Sequence, residues 1–167
     1  GGEFYIPSDH IEVGSYIGLA VVTRSELLIQ DGVPHHMYAV RHMLNKLGVD
    51  IQIEGNDIRV PRDQELRVRY DIGAAVPKID DGPWPLFPAD LLSIMIIVAT
   101  QAEGTVMIFE KMFESRLFFT DKLIGMGARI ILCDPHRAII VGDNRLVGSE
   151  ISSPDIRAGM ALLLAAL

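Results

Sequence analysis

Two stretches of the chain, LLIQDGVPHHMYAVRHMLNKLGVDIQI at residues 27–53 and VMIFEKMFESRLFFTDKLIGMGARIIL at residues 106–132, align without a gap. Asp31 falls on Glu110, and four further positions are identical. The identical pairs are Ile29 with Ile108, Leu44 with Leu123, Gly48 with Gly127, and Ile51 with Ile130. A repeat of this length indicates that one supersecondary unit is present more than once.

A proline followed by an aspartate precedes each copy, as PSD at residues 7–9 and PAD at residues 88–90. The same signal recurs as PD at residues 154–155, shortly before the sequence ends. An aspartate is typical of helix starts because its carboxylate accepts free backbone N–H groups. We therefore expect a third unit that stops after its first helix, and a chain that is a piece of a longer protein.

Each unit is predicted to have the order β-α-β-α-β-β. The units form one incomplete domain, with unit one at 3–61, unit two at 66–142 and truncated unit three at 147–167. In unit one, the pattern predicts strands at 3–6 and 26–30, helices at 11–22 and 36–47, and a hairpin of 49–54 with 57–60. In unit two, it predicts a strand within 66–79, helices at 90–101 and 115–126, and strands at 105–109, 128–133 and 138–141. Unit three contributes a helix at 154–167.

The first helices of units two and three are apolar almost all round, as in LLSIMIIV at 91–98 and MALLLAAL at 160–167. A helix of this kind is buried on every side. We therefore predict an α+β fold of the inside-out α/β barrel type, with units around a pseudo-threefold axis, apolar helices inside and sheets outside. Because the end of unit three is missing, the isolated piece is expected to be poorly soluble or to dimerise.

The composition is that of a globular protein, with 49% hydrophobic and 22% charged residues. A net charge of −7 argues against binding nucleic acid through bulk electrostatics. The longest apolar run, at 91–99, is shorter than the roughly 20 residues that cross a bilayer, so no membrane span is predicted. The single cysteine, Cys133, cannot form an internal disulfide, which favours the cytoplasm.

Asp90 has two interpretations. It could cap a helix, as is expected for Asp9. It could instead be a catalytic carboxylate, because it follows the loop GPWPLFP at 82–88. Prolines reduce the freedom of the unfolded loop, so a loop of this composition can hold a side chain in a fixed position at a helix start.

Arg116 and Arg157 are candidates for binding an anion. Arg116 stands where the first copy has Met37, which favours a role beyond the shared fold. The alternative for Arg116 is a surface ion pair with Glu114 or Asp121. Arg157 opens a helix that is otherwise apolar, where a charge requires a carboxylate, a phosphate or solvent.

Histidine and cysteine give no further candidates. The five histidines do not have the spacing of metal ligands, so no metal site is predicted. They are His10, His35, His36, His42 and His136. Cys133 falls in a predicted strand and is expected to be a core residue.

Five segments give the chain a resemblance to the enolpyruvyl transferases. They are FPAD at 87–90, TQAEGT at 100–105, FESR at 113–116, MGA at 126–128 and PDIRA at 154–158. The similarity runs from about residue 6 to the end of the sequence, and the order and spacing of the segments agree. The resemblance implies two similar domains, each made of three β-α-β-α-β-β units, with this chain forming most of the second domain.

The resemblance implies transfer of the enolpyruvyl group of phosphoenolpyruvate to the 3-hydroxyl of UDP-N-acetylglucosamine with release of phosphate, the first committed step of peptidoglycan synthesis. By position, Asp90 contacts the sugar and acts as the base for its hydroxyl, and Met112 lines the sugar-nucleotide site. Arg116, Asp155 and Arg157 belong to the cavity for the anionic reactant. The chemistry requires a base, and the planar guanidinium of arginine suits carboxylate and phosphate. No metal or organic cofactor is implied.

The chain departs from the family pattern at three places. FPTD reads FPAD, with Ala89 in place of threonine; FENR reads FESR, with Ser115 in place of asparagine; and TDLR reads PDIR. The first domain, which carries the reactive loop and the basic residues for the diphosphate, is absent from this sequence. The isolated piece is therefore expected to be inactive.

Three alternatives stay open. One is the related transferase that acts on shikimate 3-phosphate. Another is a non-catalytic binding paralogue, because Ala89 and Ser115 alter the motifs. The third is an RNA-binding relative with the same units, which would require a basic face.

Overall fold

In the computed structural model, which describes Gly1–Leu167, five α-helices and seven strands alternate along the chain. The helices are α1 (His10–Val22), α2 (Tyr38–Lys46), α3 (Leu92–Gln101), α4 (Thr120–Gly125) and α5 (Ile156–Ala165). The strands are β1 (Leu27–Ile29), β2 (Gln52–Glu54), β3 (Asp57–Val60), β4 (Lys78–Asp80), β5 (Thr105–Phe109), β6 (Arg129–Asp134) and β7 (Arg137–Val141). Short 3-10 helices occur at Pro34–His36, Ile72–Ala74, Ala89–Leu91 and Arg116–Phe119.

The strands form two sheets. The first is antiparallel, in the order β1-β3-β2, and Ile58 of β3 lies opposite both Ile29 and Ile53. The second has the order β4-β5-β7-β6, in which β4 runs parallel to β5 and the other pairs are antiparallel. The sequence therefore predicted the hairpins β2-β3 and β6-β7 correctly.

Helices α1, α3 and α5 pack against one another, and the sheets lie against this group. Helix α1 contacts β1 and β3, whereas α3 contacts β5 and β7. Eight of the ten residues of α3 are buried, as its continuous apolar sequence predicts. A single cluster of 38 buried residues joins the helices to both sheets. This confirms that the fold is α+β with a core built on the apolar helices.

Two glycines of α1 allow its close approach to the other helices. A Cβ atom on Gly14 would lie 2.3 Å from Cδ1 of Leu91, and one on Gly18 would lie 2.3 Å from Cγ2 of Ile94. These distances are far below van der Waals contact, so a larger residue at either position would separate α1 from α3.

Gly48 and Gly127, which the repeat aligns with each other, lie just after the ends of α2 and α4. Gly48 has a φ of +82° and Gly127 a φ of +100°, which are left-handed conformations that glycine adopts without a steric cost. Both helices begin later than predicted, because a 3-10 turn precedes each of them and no side chain caps its start. The equivalent glycines show that the aligned stretches end their helices in the same way.

The strand predicted at 3–6 is wrong, since these residues have no regular structure and Phe4, Tyr5 and Ile6 are exposed. The repeat explains the error. When Pro7 is aligned with Pro88, the equivalent of β4 would lie eight to ten residues before Pro7, and only six residues of this sequence precede it. Residues 3–6 correspond instead to the end of the proline-rich loop.

Cys133 is exposed, so its expected place in the core is wrong. It lies in β6, whose residues alternate between the core and the outer face of the second sheet. Side chains on a strand point alternately to opposite faces, and Cys133 is on the same face as the exposed Ile131.

The contact of α1 with α3 can be tested by Gly18→Val. We expect this substitution to lower the free energy of unfolding by about 1–3 kcal/mol, because the new side chain overlaps Ile94. The matched control is Gly125→Ala in α4, where an added Cβ meets nothing within 4 Å and helix propensity favours alanine by up to about 1 kcal/mol. Denaturant unfolding of both variants measures the difference, and equal effects would contradict the close packing.

Candidate active site

Asp90 lies in the 3-10 turn Ala89–Leu91, at the end of a folded loop. The loop closes on itself, since the backbone N–H of Gly82 donates to the carbonyl oxygen of Phe87 at 3.0 Å. Phe87 is buried and anchors the loop to the core. The proline-rich segment thus holds Asp90 at the start of α3 while its own backbone stays at the surface.

Asp90 forms ion pairs with both predicted arginines. Its Oδ1 lies 3.0 Å from Nη1 of Arg116, and its Oδ2 lies 2.8 Å from Nη2 of Arg157. The three side chains are 29% to 44% exposed, so the cluster remains open to solvent. Residues that are far apart in the sequence therefore meet at one carboxylate, and Arg116 does not pair with Glu114 or Asp121.

The three aspartates with the same sequence signal have different partners. Asp9 caps α1, with Oδ1 accepting the N–H of Ile11 at 2.8 Å. Asp155 caps α5, with Oδ1 accepting the N–H groups of Arg157 and Ala158 at 2.8 and 2.9 Å. Asp90 accepts no capping hydrogen bond and uses both oxygens for arginines. Capping thus explains Asp9 and Asp155 but does not explain Asp90.

Arg116 is oriented by the residues before it. Its guanidinium carbon lies 4.0 Å from the centre of the Phe113 ring, a cation–π contact. Ser115 has a φ of +66°, which turns the chain sharply before the 3-10 helix. Asparagine tolerates this conformation better than most residues do.

Arg157 reaches the cluster because α5 packs beside α3. The hydroxyl of Ser93 donates to the carbonyl oxygen of Arg157 at 3.2 Å, and Asp155 fixes the first turn of α5. A narrow cleft lies between the two helices. It is lined by Ala89, Leu92, Ser93, Ile96, Glu110, Arg116, Leu117, Phe119, Asp155, Arg157 and Ala158.

Met112 is 43% exposed and is not among the residues that line this cleft. It lies on the loop between β5 and Arg116, and its backbone N–H donates to Oδ2 of Asp81 at 3.2 Å. The structure thus brings Asp90, Arg116, Asp155 and Arg157 together and leaves Met112 on the adjoining loop.

Sequence reasoning missed two buried acids, Asp81 and Glu110, each 1% exposed. Burial, a hydrogen bond with Asp81 and the negative charge of Asp81 together raise the pKa of Glu110 to about 8. The neighbouring Asp80 differs: burial opposes its ionisation, but hydrogen bonds from Lys111 and Lys78 keep its pKa below the usual value. The repeat contained a signal for Glu110, because it aligns this residue with Asp31 and the position is therefore acidic in both copies.

No group of three or more His, Cys, Asp or Glu side chains is arranged to hold a metal ion. None of the helices combines the length and apolar character needed to cross a bilayer. The imidazoles of His10 and His36 instead contact the ring of Trp84 at 5.4 and 5.3 Å between centroids.

The fold is that of the enolpyruvyl transferases. The enolpyruvyl transferase NikO from Streptomyces tendae matches with a TM-score of 0.81 at 23% identity, over 96% of this chain and 36% of that one. An EPSP synthase from Acinetobacter baumannii matches with a TM-score of 0.66 at 14% identity, over 98% of this chain and 38% of that one. The chain belongs to the EPSP synthase family, described as 3-phosphoshikimate 1-carboxyvinyltransferase, which matches residues 1–167.

Several curated relatives are named UDP-N-acetylglucosamine 1-carboxyvinyltransferase. The protein of Bradyrhizobium diazoefficiens is 58% identical over 164 residues, which are 98% of this chain and 38% of the relative. That of Treponema denticola is 58% identical over 166 residues, covering 99% and 39%, and that of Bacteroides thetaiotaomicron is 48% identical over 170 residues, covering 100% and 39%. The chain thus spans about two-fifths of the length of these relatives.

The left-handed conformation at Ser115 gives a stability prediction. We expect Ser115→Asn to raise the free energy of unfolding by about 0.5 kcal/mol, because asparagine tolerates this conformation better than serine does. Ser152→Asn is the control, since Ser152 is exposed and lies outside regular structure. Denaturant unfolding compares the two. A gain of the same size at both positions would show that the conformation of Ser115 is not the cause.

Proposed function

We propose that the full-length protein containing this chain transfers the enolpyruvyl group of phosphoenolpyruvate to the 3-hydroxyl of UDP-N-acetylglucosamine, releasing phosphate, as the first committed step of peptidoglycan synthesis. The observation that carries the proposal is the position of Asp90 between Arg116 and Arg157. A carboxylate and two guanidinium groups that meet in one partly exposed cluster can supply a base and an anion-binding site together.

The choice of sugar nucleotide is supported by similarity. Relatives named for UDP-N-acetylglucosamine are 48% to 58% identical to this chain. The EPSP synthase structure is only 14% identical, although the family description names the shikimate reaction. We therefore favour the sugar nucleotide over shikimate 3-phosphate as the acceptor.

Our mechanism assigns Asp90 as the base that takes the proton of the acceptor hydroxyl. The hydroxyl oxygen adds to C2 of phosphoenolpyruvate while C3 takes up a proton. The tetrahedral intermediate then expels phosphate and loses a proton from C3, which restores the carbon–carbon double bond. Arg116 and Arg157 bind the anionic groups of phosphoenolpyruvate. An anion bound to these arginines competes with Asp90 for them, so binding of the reactant releases the carboxylate that the reaction needs.

Two further residues complete the proposed site. Asp155 positions Arg157, because its side chain accepts the backbone N–H of that residue. Met112 contributes to the sugar-nucleotide site from the exposed loop. The anionic diphosphate is assigned to a first domain outside this sequence, and no metal or organic cofactor takes part in the proposed mechanism.

We further propose that the domain is completed outside this chain. Units at 3–61, 66–142 and 147–167 would surround a pseudo-threefold axis, with α1, α3 and α5 at its centre. The exposed apolar residues Tyr16, Ile156 and Leu163, on the two neighbouring helices α1 and α5, support completion by further chain or dimerisation of the isolated piece. The proposed enzyme is cytoplasmic.

The acceptor can be identified by measuring phosphate release from phosphoenolpyruvate by the full-length protein. We expect release with UDP-N-acetylglucosamine and none with shikimate 3-phosphate. The reverse result would keep the chemistry and change the acceptor. Release with neither acceptor would contradict the proposal and favour a non-catalytic paralogue.

The role of Asp90 can be tested by Asp90→Asn in the full-length protein. We expect the turnover number for phosphate release to fall by about 100-fold or more, because the amide cannot take the hydroxyl proton. Asp9→Asn is the matched control, since asparagine caps helices as well as aspartate does, and it should leave turnover unchanged. Near-normal turnover of Asp90→Asn, with the fold intact by circular dichroism, would remove Asp90 from the role of base.

A further inference from the structure

Two buried carboxyl groups bind three consecutive backbone N–H groups of the loop that leads to Arg116. Oδ1 of Asp81 accepts the N–H of Lys111 at 2.5 Å, and Oδ2 accepts the N–H of Met112 at 3.2 Å. Oε1 of Glu110 accepts the N–H of Phe113 at 3.1 Å. Side chains from two different segments of the second unit therefore hold the loop on one of its faces.

Neither buried acid forms an ion pair, although charged groups are near. The side chain of Lys111 binds Asp80, and Arg116 binds Asp90. His136 directs Nδ1 to the backbone carbonyl of Glu110 at 2.9 Å. The other charged groups that face Glu110 across the cleft are Asp155 and Arg157.

Desolvation and mutual repulsion oppose a second negative charge when two carboxyl groups are buried side by side without a cation, so one of them keeps its proton at neutral pH. The two carboxyl groups bind the neighbouring N–H groups of Met112 and Phe113, so they lie beside each other, and a proton held by one of them can be donated to the other. Asp81 already accepts two N–H groups and uses both of its oxygens for them. Glu110 accepts only one, so the proton belongs on its second oxygen.

We propose that Asp81 and Glu110 form a carboxyl pair holding one proton, and that this pair is the positioning device for Met112 and Arg116. The importance of these two residues to catalysis rests on the function proposed above. The pair acts through the backbone of 111–113 and does not itself touch the reacting groups.

The connection to Arg116 is direct. Glu110 binds the N–H of Phe113, and the ring of Phe113 contacts the guanidinium of Arg116 at 4.0 Å. Asp81 binds the N–H of Met112, the residue assigned to the sugar nucleotide. A change in the carboxyl pair would therefore move both the anion-binding arginine and the sugar-binding loop.

The pair is expected to respond to mildly alkaline pH. Burial and the neighbouring Asp81 together raise the pKa of Glu110 to about 8. Below this pH the shared proton keeps the pair intact. Above it, Glu110 ionises, and repulsion between the two carboxyl groups displaces the loop, which then carries Met112 and Arg116 away from their positions.

The experiment follows the 13C-methyl resonance of Met112 in the full-length protein from pH 6 to about 9.5, assigned by its loss in Met112→Leu. We expect the resonance of the wild type to shift with a midpoint near pH 8, the pKa of Glu110. In Glu110→Gln it should stay constant at the position of the wild type at pH 7, because the amide keeps both the donor and the acceptor. The control Glu150→Gln, at an exposed site, should titrate like the wild type.

A resonance that is constant in the wild type, or that titrates identically in Glu110→Gln, would overturn the proposal. The second variant is Asp81→Asn, whose amide offers one acceptor oxygen for two N–H groups. Its Met112 resonance should differ from that of the wild type at every pH, and an unchanged resonance would also overturn the proposal.

Activity gives an independent measurement. We expect kcat/KM for phosphate release to fall above about pH 8 in the wild type and to keep its value in Glu110→Gln. The same alkaline loss in both proteins would contradict a positioning role of Glu110 in catalysis. If the wild type releases no phosphate at any pH, the proposed function fails, and the Met112 resonance still decides whether the carboxyl pair positions the loop.

Discussion

The mutual packing of three apolar helices is the constraint on which the rest of the structure depends. Helices α1, α3 and α5 have almost no polar face, so each must bury its surface against the other two and the sheets. This packing also places the starts of α3 and α5 side by side, where Ser93 binds the backbone of Arg157 and Asp90 binds its side chain. The candidate site is thus a consequence of how the core is filled.

The Asp90 cluster contributes little to the stability that holds it in place. Ion pairs that are about a third exposed contribute about 0–1 kcal/mol each, whereas a buried leucine or isoleucine contributes about 1.5–3 kcal/mol. The core therefore fixes the positions of Arg116 and Arg157, and the weak ion pairs can be exchanged for other anions. An exchangeable contact is what a binding site for a carboxylate and a phosphate requires.

Asp80 and Asp81, two adjacent aspartates at the end of β4, direct their side chains to opposite sides of the second sheet. Asp80, the last residue of β4, pairs with Lys78 and Lys111 near the surface. Asp81 follows it into the interior, where it finds the N–H groups of 111–112 and the carboxyl of Glu110. Successive side chains of a strand point in opposite directions. Asp80 therefore forms ion pairs near the surface, whereas Asp81, the next residue, belongs to the buried carboxyl pair.

The sequence by itself determined the buried helices, the hairpins and the helix-ending glycines, because apolar periodicity and turn chemistry act over a few residues. The residues themselves made Asp90, Arg116 and Arg157 candidates, and the structure brings these three together, whereas Met112 and Asp155 were added by the resemblance. Only the tertiary structure decided which Pro–Asp signals are caps, that Cys133 is exposed, and that Asp81 meets Glu110. The ion pair of Asp90 with Arg116 and the binding of residues 111–112 by Asp81 join residues 26 to 31 positions apart in the sequence, which local propensity does not encode.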